Sequence, residues 1–247
     1  LTFVSTSNRI QKPLSKAGDH TRIDWGTFYL AASDKNSEPF MNDGRAARTG
    51  VLSGKKRGEK SGEEIGLVID LGNVKTHGGY IMAGYDDNYS IQYFGQNLRP
   101  YWNRNNDSDI FKQFALAARD YKKLMKESAR FDAELLKEAA EVGGDEYASL
   151  CALAYRQAVA AHKLVESPKG EILWLSKEND SNGSIGTVDV TYPSAPMFLI
   201  YNPELVKGLM NHIFDFSESG RWTKPFPAHD VGTYPLANGQ TYSGDMP

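Results

Sequence analysis

Cysteine is almost absent: Cys151 is the single one in 247 residues. An intrachain disulfide and a multi-cysteine metal site are therefore both excluded. Cys151 lies in ASLCALAY, where it reads as a small apolar residue on a helix. A thiol in the middle of a helix lacks the usual support for a reactive thiolate. Long apolar runs are also missing. The stretch SAPMFLIY at 194–201 is among the longest and is far too short to cross a bilayer, so no membrane span is expected. No single sign of charge dominates: 28 Lys and Arg stand against 31 Asp and Glu, a net charge of −3. That balance carries no electrostatic footprint for nucleic acid or an anionic membrane surface, and no nucleic-acid partner is expected. No GxSxG elbow, HExxH pair or P-loop occurs. The chain opens on Leu1 with neither a Met nor a signal-peptide pattern, which reads as a processed or trimmed chain.

What remains is globular. Hydrophobic residues make up 40% and charged residues 24%, enough for a sizeable core. The first hundred residues read as β. TRIDWGTFYLAA (21–32) alternates in side-chain character, EEIGLVIDLG (63–72) is a short apolar run, and GGYIMAGYDD (78–87) and NYSIQYFG (88–95) are aromatic-rich and broken by glycine. The glycine-rich, charged stretch 48–64 reads as a solvated hairpin loop. Strands at short spacing predict a β-sandwich or part of one. Past NRNNDSD (103–109) the period changes to that of a helix, with Asp107, Ser108 or Asp109 as N-cap candidates. The helical pattern runs to Gly143-Gly144, read as a stop. A second helix, capped by Asp145, is expected to run to Glu166, with His162 in its last turn. EILWLSKE (171–178) reads as a strand, VTYPSAP as a proline-framed turn, and Asn202-Pro203 as the start of a last helix. The order of β half then α half predicts an α+β chain of two domains, 1–104 and 105–247.

Two loop segments look chemical. In LWLSKENDSNGSIGTVDVTYPSAP (173–196), Glu178 and Asp189 sit beside apolar elements. Such paired carboxylates suit acid/base or nucleophilic hydrolysis. The same residues also fit a turn cap and a surface charge. Asp180, Asn182 and Asp189 offer oxygen ligands, so structural calcium is one reading and a tight Asx-turn the other. In FPAHDVGTYP (226–235), prolines stiffen a segment in which Asp230 is placed to orient His229. A purely structural His–Asp pair fits equally. Trp25, Trp102, Trp174 and Trp222 suit either sugar stacking or core packing.

Four segments carry a family resemblance: GDHTRIDWGTFYLA (18–31), YDDNYSIQYFGQNLRPYW (85–102), LSKENDSNGSIGTVDVTYPSAPMFLIYNPEL (175–205) and PAHDVGTYPLANGQTY (227–242). Together they resemble the glutaminase A family. The resemblance implies a β-sandwich-like domain joined to an α/α six-hairpin barrel, a secreted or periplasmic setting, and hydrolysis of L-glutamine to glutamate and ammonia. It also implies similarity to six-hairpin glycosidases, where Glu178 would be a nucleophile or general base and Asp189 an orienting carboxylate. His229, Asp230 and Trp174 would then contact substrate. Six hairpins need about twelve helices, and residues 107–219 supply fewer than half of them. The chain is therefore expected to be a fragment with little activity alone and to self-associate through an uncovered barrel face. The competing expectations are a glycoside hydrolase using paired carboxylates and a non-catalytic carbohydrate-binding or structural module. A small molecule or glycan is the expected ligand, with no cofactor beyond the calcium named above.

Overall fold

The computed structural model describes residues 1–16, 23–33, 36–42, 64–70, 73, 75, 78–178 and 182–240. The architecture is α+β. In chain order come β1 (Thr2–Ser7), β2 (Thr27–Ala32), β3 (Ser37–Asn42), β4 (Glu64–Ile69), β5 (Ile81–Asp86), β6 (Ile91–Tyr93) and β7 (Gln96–Leu98). A one-turn 3-10 helix (Tyr101–Asn103) precedes α1 (Ile110–Ala160), which is two helical arms joined at a non-helical Gly144. Then follow β8 (His162–Glu166), β9 (Ile172–Ser176), α2 (Val188–Tyr201), α3 (Pro203–Glu218) and β10 (Leu236–Ala237). Of the glycine-rich loop 48–64, all but Glu64 lies outside the described residues.

The chain divides into two compact units. The first comprises Leu1–Gln11, Asp24–Asp86 and Ser108–Tyr121. Its antiparallel sheet has the order β1-β2-β5, and β3 pairs with β4. The pleat puts Phe3, Tyr29 and Gly84 on one face, because Tyr29 pairs with Gly84 and Phe3 pairs with Ala31, two residues along from Tyr29. Against that face lie Phe111 and Phe114 of α1, with ring centroids 5.1–6.4 Å from those of Phe3 and Tyr29. The helix approaches this closely because residue 84 has no side chain: a Cβ there would stand 2.7 Å from Phe114 Cζ. Tyr80 stacks on Tyr121 with centroids 3.8 Å apart. Asp109 starts the helix, its Oδ1 accepting the Lys112 N–H at 2.7 Å, as the polar stretch before it predicts.

The second unit comprises Lys12–Ile23, Asp87–Asp107 and Lys122–Pro247. Its core holds Trp174, Phe198 and Leu209, with Val159, Leu164 and Leu205 packed around them. Helix α3 lies close on β9, where a Cβ on Gly208 would meet Trp174 N at 2.9 Å. Asn211 Nδ2 donates to the Ile172 carbonyl at 2.9 Å. An ion pair joins buried Asp87 to the partly exposed Lys163 at 2.6 Å, and Ser90 donates to the same carboxylate at 3.1 Å.

Two local expectations are corrected and one is met. The expected stop at Gly143-Gly144 is found: the first arm of α1 ends there. Gly144 takes φ 82° and ψ −179°, outside the helical region, and a second helical arm follows it. The second arm stops at Ala160, not Glu166, because residues 162–166 pair with 172–176 as a hairpin. The VTYPSAP segment is helical although Pro193 and Pro196 lie inside α2. There the Ser194 hydroxyl donates to the carbonyls of Val190 and Thr191. Asn202 and Pro203 do mark the start of α3.

Candidate active site

The site stands where two loops run side by side. Strand β9 ends at Ser176, and the Glu178 N–H donates to the Ser184 carbonyl at 3.0 Å. Ser184 bridges Thr233, Ile185 N–H donates to Gly232 O at 2.8 Å, and Val231 N–H donates to Ile185 O at 3.0 Å. Tyr234 N–H donates to Gly183 O at 2.9 Å, and Val188 N–H donates to His229 O at 3.0 Å. This backbone ladder fixes residues 183–188 against 229–234. It brings the start of α2, which carries Asp189, beside His229 and the end of β9, which carries Glu178.

The result is convergence. Glu178, Asp189 and His229 each present one ligand atom, and those atoms lie within 4.8 Å of one another. His229 Nε2 is 3.9 Å from Asp189 Oδ1. Behind it, His229 Nδ1 is 3.0 Å from Asp230 Oδ2. The other Asp230 oxygen accepts the Gly232 N–H at 2.8 Å. Asp230 is buried, with 1% of its surface exposed. A neutral imidazole that donates Nδ1–H to this carboxylate keeps its Nε2 lone pair toward Asp189. The backbone is held as well, since His229 N–H donates to Gln240 Oε1 at 2.8 Å. Lys177 Nζ donates to the Glu178 carbonyl at 3.0 Å. The cluster is therefore rich in carboxylates, open at Asp189, and backed by one oriented imidazole. It suits a ligand that brings positive charge or hydroxyl and amide donors, and a divalent cation would find two oxygens and one nitrogen as ligands.

Of the residues singled out in the sequence, Glu178, Asp189, His229 and Asp230 meet here. Asp189 lies in the first turn of α2, not in a loop. Trp174 is elsewhere, in the core of this unit and 7% exposed. Its ring stacks on His162 at 5.0 Å and meets the edge of Phe198 at 5.9 Å, so it packs and presents no stacking surface. Asn182 Oδ1 accepts the Ser184 N–H at 2.9 Å in an Asx-turn. Asp180 lies outside the described residues.

His212 was not singled out as a site residue. It is fully buried in α3, and its Nε2–H donates to the Gly186 carbonyl at 3.2 Å. Gly186 has φ 64°, and a Cβ there would stand 2.1 Å from His212 Nε2. Helix α3 thus pins the loop that carries Asp189. Burial pushes the His212 imidazole down to about 4, so the ring stays neutral. The sequence signal was faint: one histidine on the buried face of an amphipathic helix, opposite a loop glycine.

Comparisons with known proteins agree with this arrangement of an N-terminal β-rich part and a C-terminal helical part. Residues 1–138 match a family described as a domain of unknown function (DUF5127), and residues 144–247 match the glutaminase A six helical-hairpin domain. The chain belongs to the glutaminase A family. It is 28% identical over 243 residues to glutaminase A of Aspergillus oryzae, covering 91% of this chain and 35% of that protein. It is 24% identical over 241 residues to a probable glutaminase of Arthroderma benhamiae, covering 86% of this chain and 27% of that one. The chain thus spans about a third of the length of these curated relatives. No solved structure matches it.

Proposed function

We propose that this chain carries the acid–base residues of a hydrolase that converts L-glutamine to L-glutamate and ammonia. The observation that supports the reading is the convergence of Glu178, Asp189 and His229 with the buried Asp230 behind the imidazole. His229 Nε2 takes a proton from a water molecule as its oxygen attacks the carboxamide carbon. The imidazolium so formed is stabilised by Asp230 on one side and by the two carboxylates on the other. It returns the proton to the amide nitrogen, the C–N bond breaks, and ammonia leaves. Glu178 and Asp189 also suit the α-ammonium group of the substrate, which would hold the side-chain amide over His229. The matching names of the relatives support the substrate class. The reading extends to the architecture: the strands belong to a β-sandwich-like domain and the helices to an α/α toroid.

A second reading is favoured by one distance. The ligand oxygens of Glu178 and Asp189 lie within 4.8 Å. That upper bound is short of the roughly 6.5–9.5 Å between the carboxyl groups of inverting glycosidases and leaves the closer spacing of retaining ones. On this reading Glu178 is a nucleophile toward a sugar. One experiment separates the two. The full-length protein is assayed on L-glutamine and on aryl glycosides, as wild type, Glu178→Gln and His229→Ala. Ammonia release that collapses in His229→Ala is the expected result. Glycoside turnover that collapses in Glu178→Gln, with no ammonia release from wild type, would replace the first reading by the second.

A further inference from the structure

A second cavity lies in the second unit and shares no lining residue with the cluster described above. It has a volume of about 470 Å³ and lies between the β6–β7 hairpin, the loop after the 3-10 turn and the end of β8. That is within the range of small-molecule pockets, about 300–1,000 Å³. Its walls are polar: Arg99, Arg104, Asn105, Asn106, Glu166 and the ring of Tyr89.

Two guanidinium groups are preorganised there by aromatic faces. Arg99 lies over the Tyr89 ring at 5.2 Å, and Arg104 lies over Tyr101 at 4.1 Å. Stacking fixes the plane of a guanidinium without consuming its N–H donors. The two arginines then differ. Arg104 is already engaged, with Nε on Glu166 at 3.0 Å and Nη1 on the Tyr101 carbonyl at 2.9 Å. Arg99 makes one long contact, from Nη1 to the Asn88 carbonyl at 3.5 Å. Its remaining fork has no partner among the described residues. The side-chain amides of Asn105 and Asn106 likewise have none there, and both residues are exposed. Glu166 neutralises Arg104, so the lining keeps one unbalanced positive charge, on a fork that matches a carboxylate. Around it stand amide groups that both donate and accept, which is the complement of hydroxyl groups.

We propose that this cavity binds a small hydroxylated monocarboxylate, a sugar acid or open-chain polyhydroxy acid. Arg99 holds the carboxylate, and Asn105, Asn106 and Glu166 hold hydroxyls. The inference rests on the cavity alone and does not depend on the reaction proposed for the Glu178 cluster.

The test is titration of D-glucuronate and D-gluconate into the protein by calorimetry, with D-glucose and acetate as controls. Wild type, Arg99→Gln and Arg99→Lys are compared, each checked for folding by its thermal transition. Saturable binding of at least one acid is expected, with a loss on the order of ten-fold or more in Arg99→Gln and an intermediate loss in Arg99→Lys. Preference between the two acids identifies a ring or an open chain as the source. Binding of neither acid, binding unchanged by Arg99→Gln, or glucose or acetate bound as tightly as the acids would each overturn the proposal. An asparagine variant, Asn106→Ala, gives a second arm: it should weaken the hydroxylated acids and leave acetate unchanged.

Discussion

His229 Nδ1 lies 3.0 Å from an oxygen of Asp230, and that carboxylate is buried while the imidazole edge beyond it is open to the cluster. Asp230 therefore sets which nitrogen of His229 faces Glu178 and Asp189. Replacing Asp230 by Asn keeps the shape and lets an amide present its N–H to the ring, which reverses the tautomer. Activity of the full-length protein is expected to fall by about 10²–10⁴-fold in kcat, as when a histidine is held in the wrong tautomer. Asp230→Ala also leaves the Gly232 N–H without its acceptor, and chemical denaturation should show a loss of about 1–3 kcal/mol.

Gly186→Ala should be among the most damaging small substitutions in the chain. The new Cβ would meet His212 Nε2 at 2.1 Å, and the residue holds φ 64°, where a side chain is strained. A stability loss of about 2–4 kcal/mol is expected from steric overlap and backbone strain together. Adding His212→Ala should relieve the overlap and not the strain, so the double variant recovers only part of the loss. Urea unfolding of the three proteins checks this.

The same histidine gives the fold a pH dependence. Burial lowers the folded His212 to about 4, below the ordinary value near 6.5. Between those values the unfolded chain binds the extra proton and the folded one does not. Stability is therefore full above about pH 6.5 and falls as pH drops toward 4, by about 3 kcal/mol in total. Burial also lowers His162, with the same sign. Unfolding midpoints measured from pH 7 to pH 4.5 should show a shallower fall in His212→Gln than in wild type.

Apolar side chains are open along the arms of α1. Val142 is 82% exposed and Leu150 62%. Between the arms, Phe131, Leu135 and Val159 help to line an apolar groove of about 870 Å³. Exposed surface of this kind associates. Light scattering of the isolated chain should show mass rising with concentration, and Leu150→Glu with Leu153→Lys should suppress the rise.

Much of this was legible residue by residue. The polar run before Ile110, the apolar β9 and the Asn202-Pro203 helix start all act through neighbours in sequence, and all are found where expected. So did the chemical character of Glu178, Asp189, His229 and Asp230 stand out, since Glu178 follows a strand-like run, Asp189 sits between two valines, and His229 and Asp230 lie between two prolines. Other features depend on partners far along the chain. Residues 162–166 have a helical pattern and become a strand because 172–176 is there to pair with them. Trp174 carries the composition of a binding platform and is drawn into the core by His162 and Phe198. The sequence by itself determined the groups available for chemistry and the ends of most elements, since propensity, capping and side-chain pKa ranges are local. Only the tertiary structure decided that four of those groups meet, because the meeting depends on hydrogen bonds between 183–188 and 229–234 and on His212 pressing on a glycine 26 residues away.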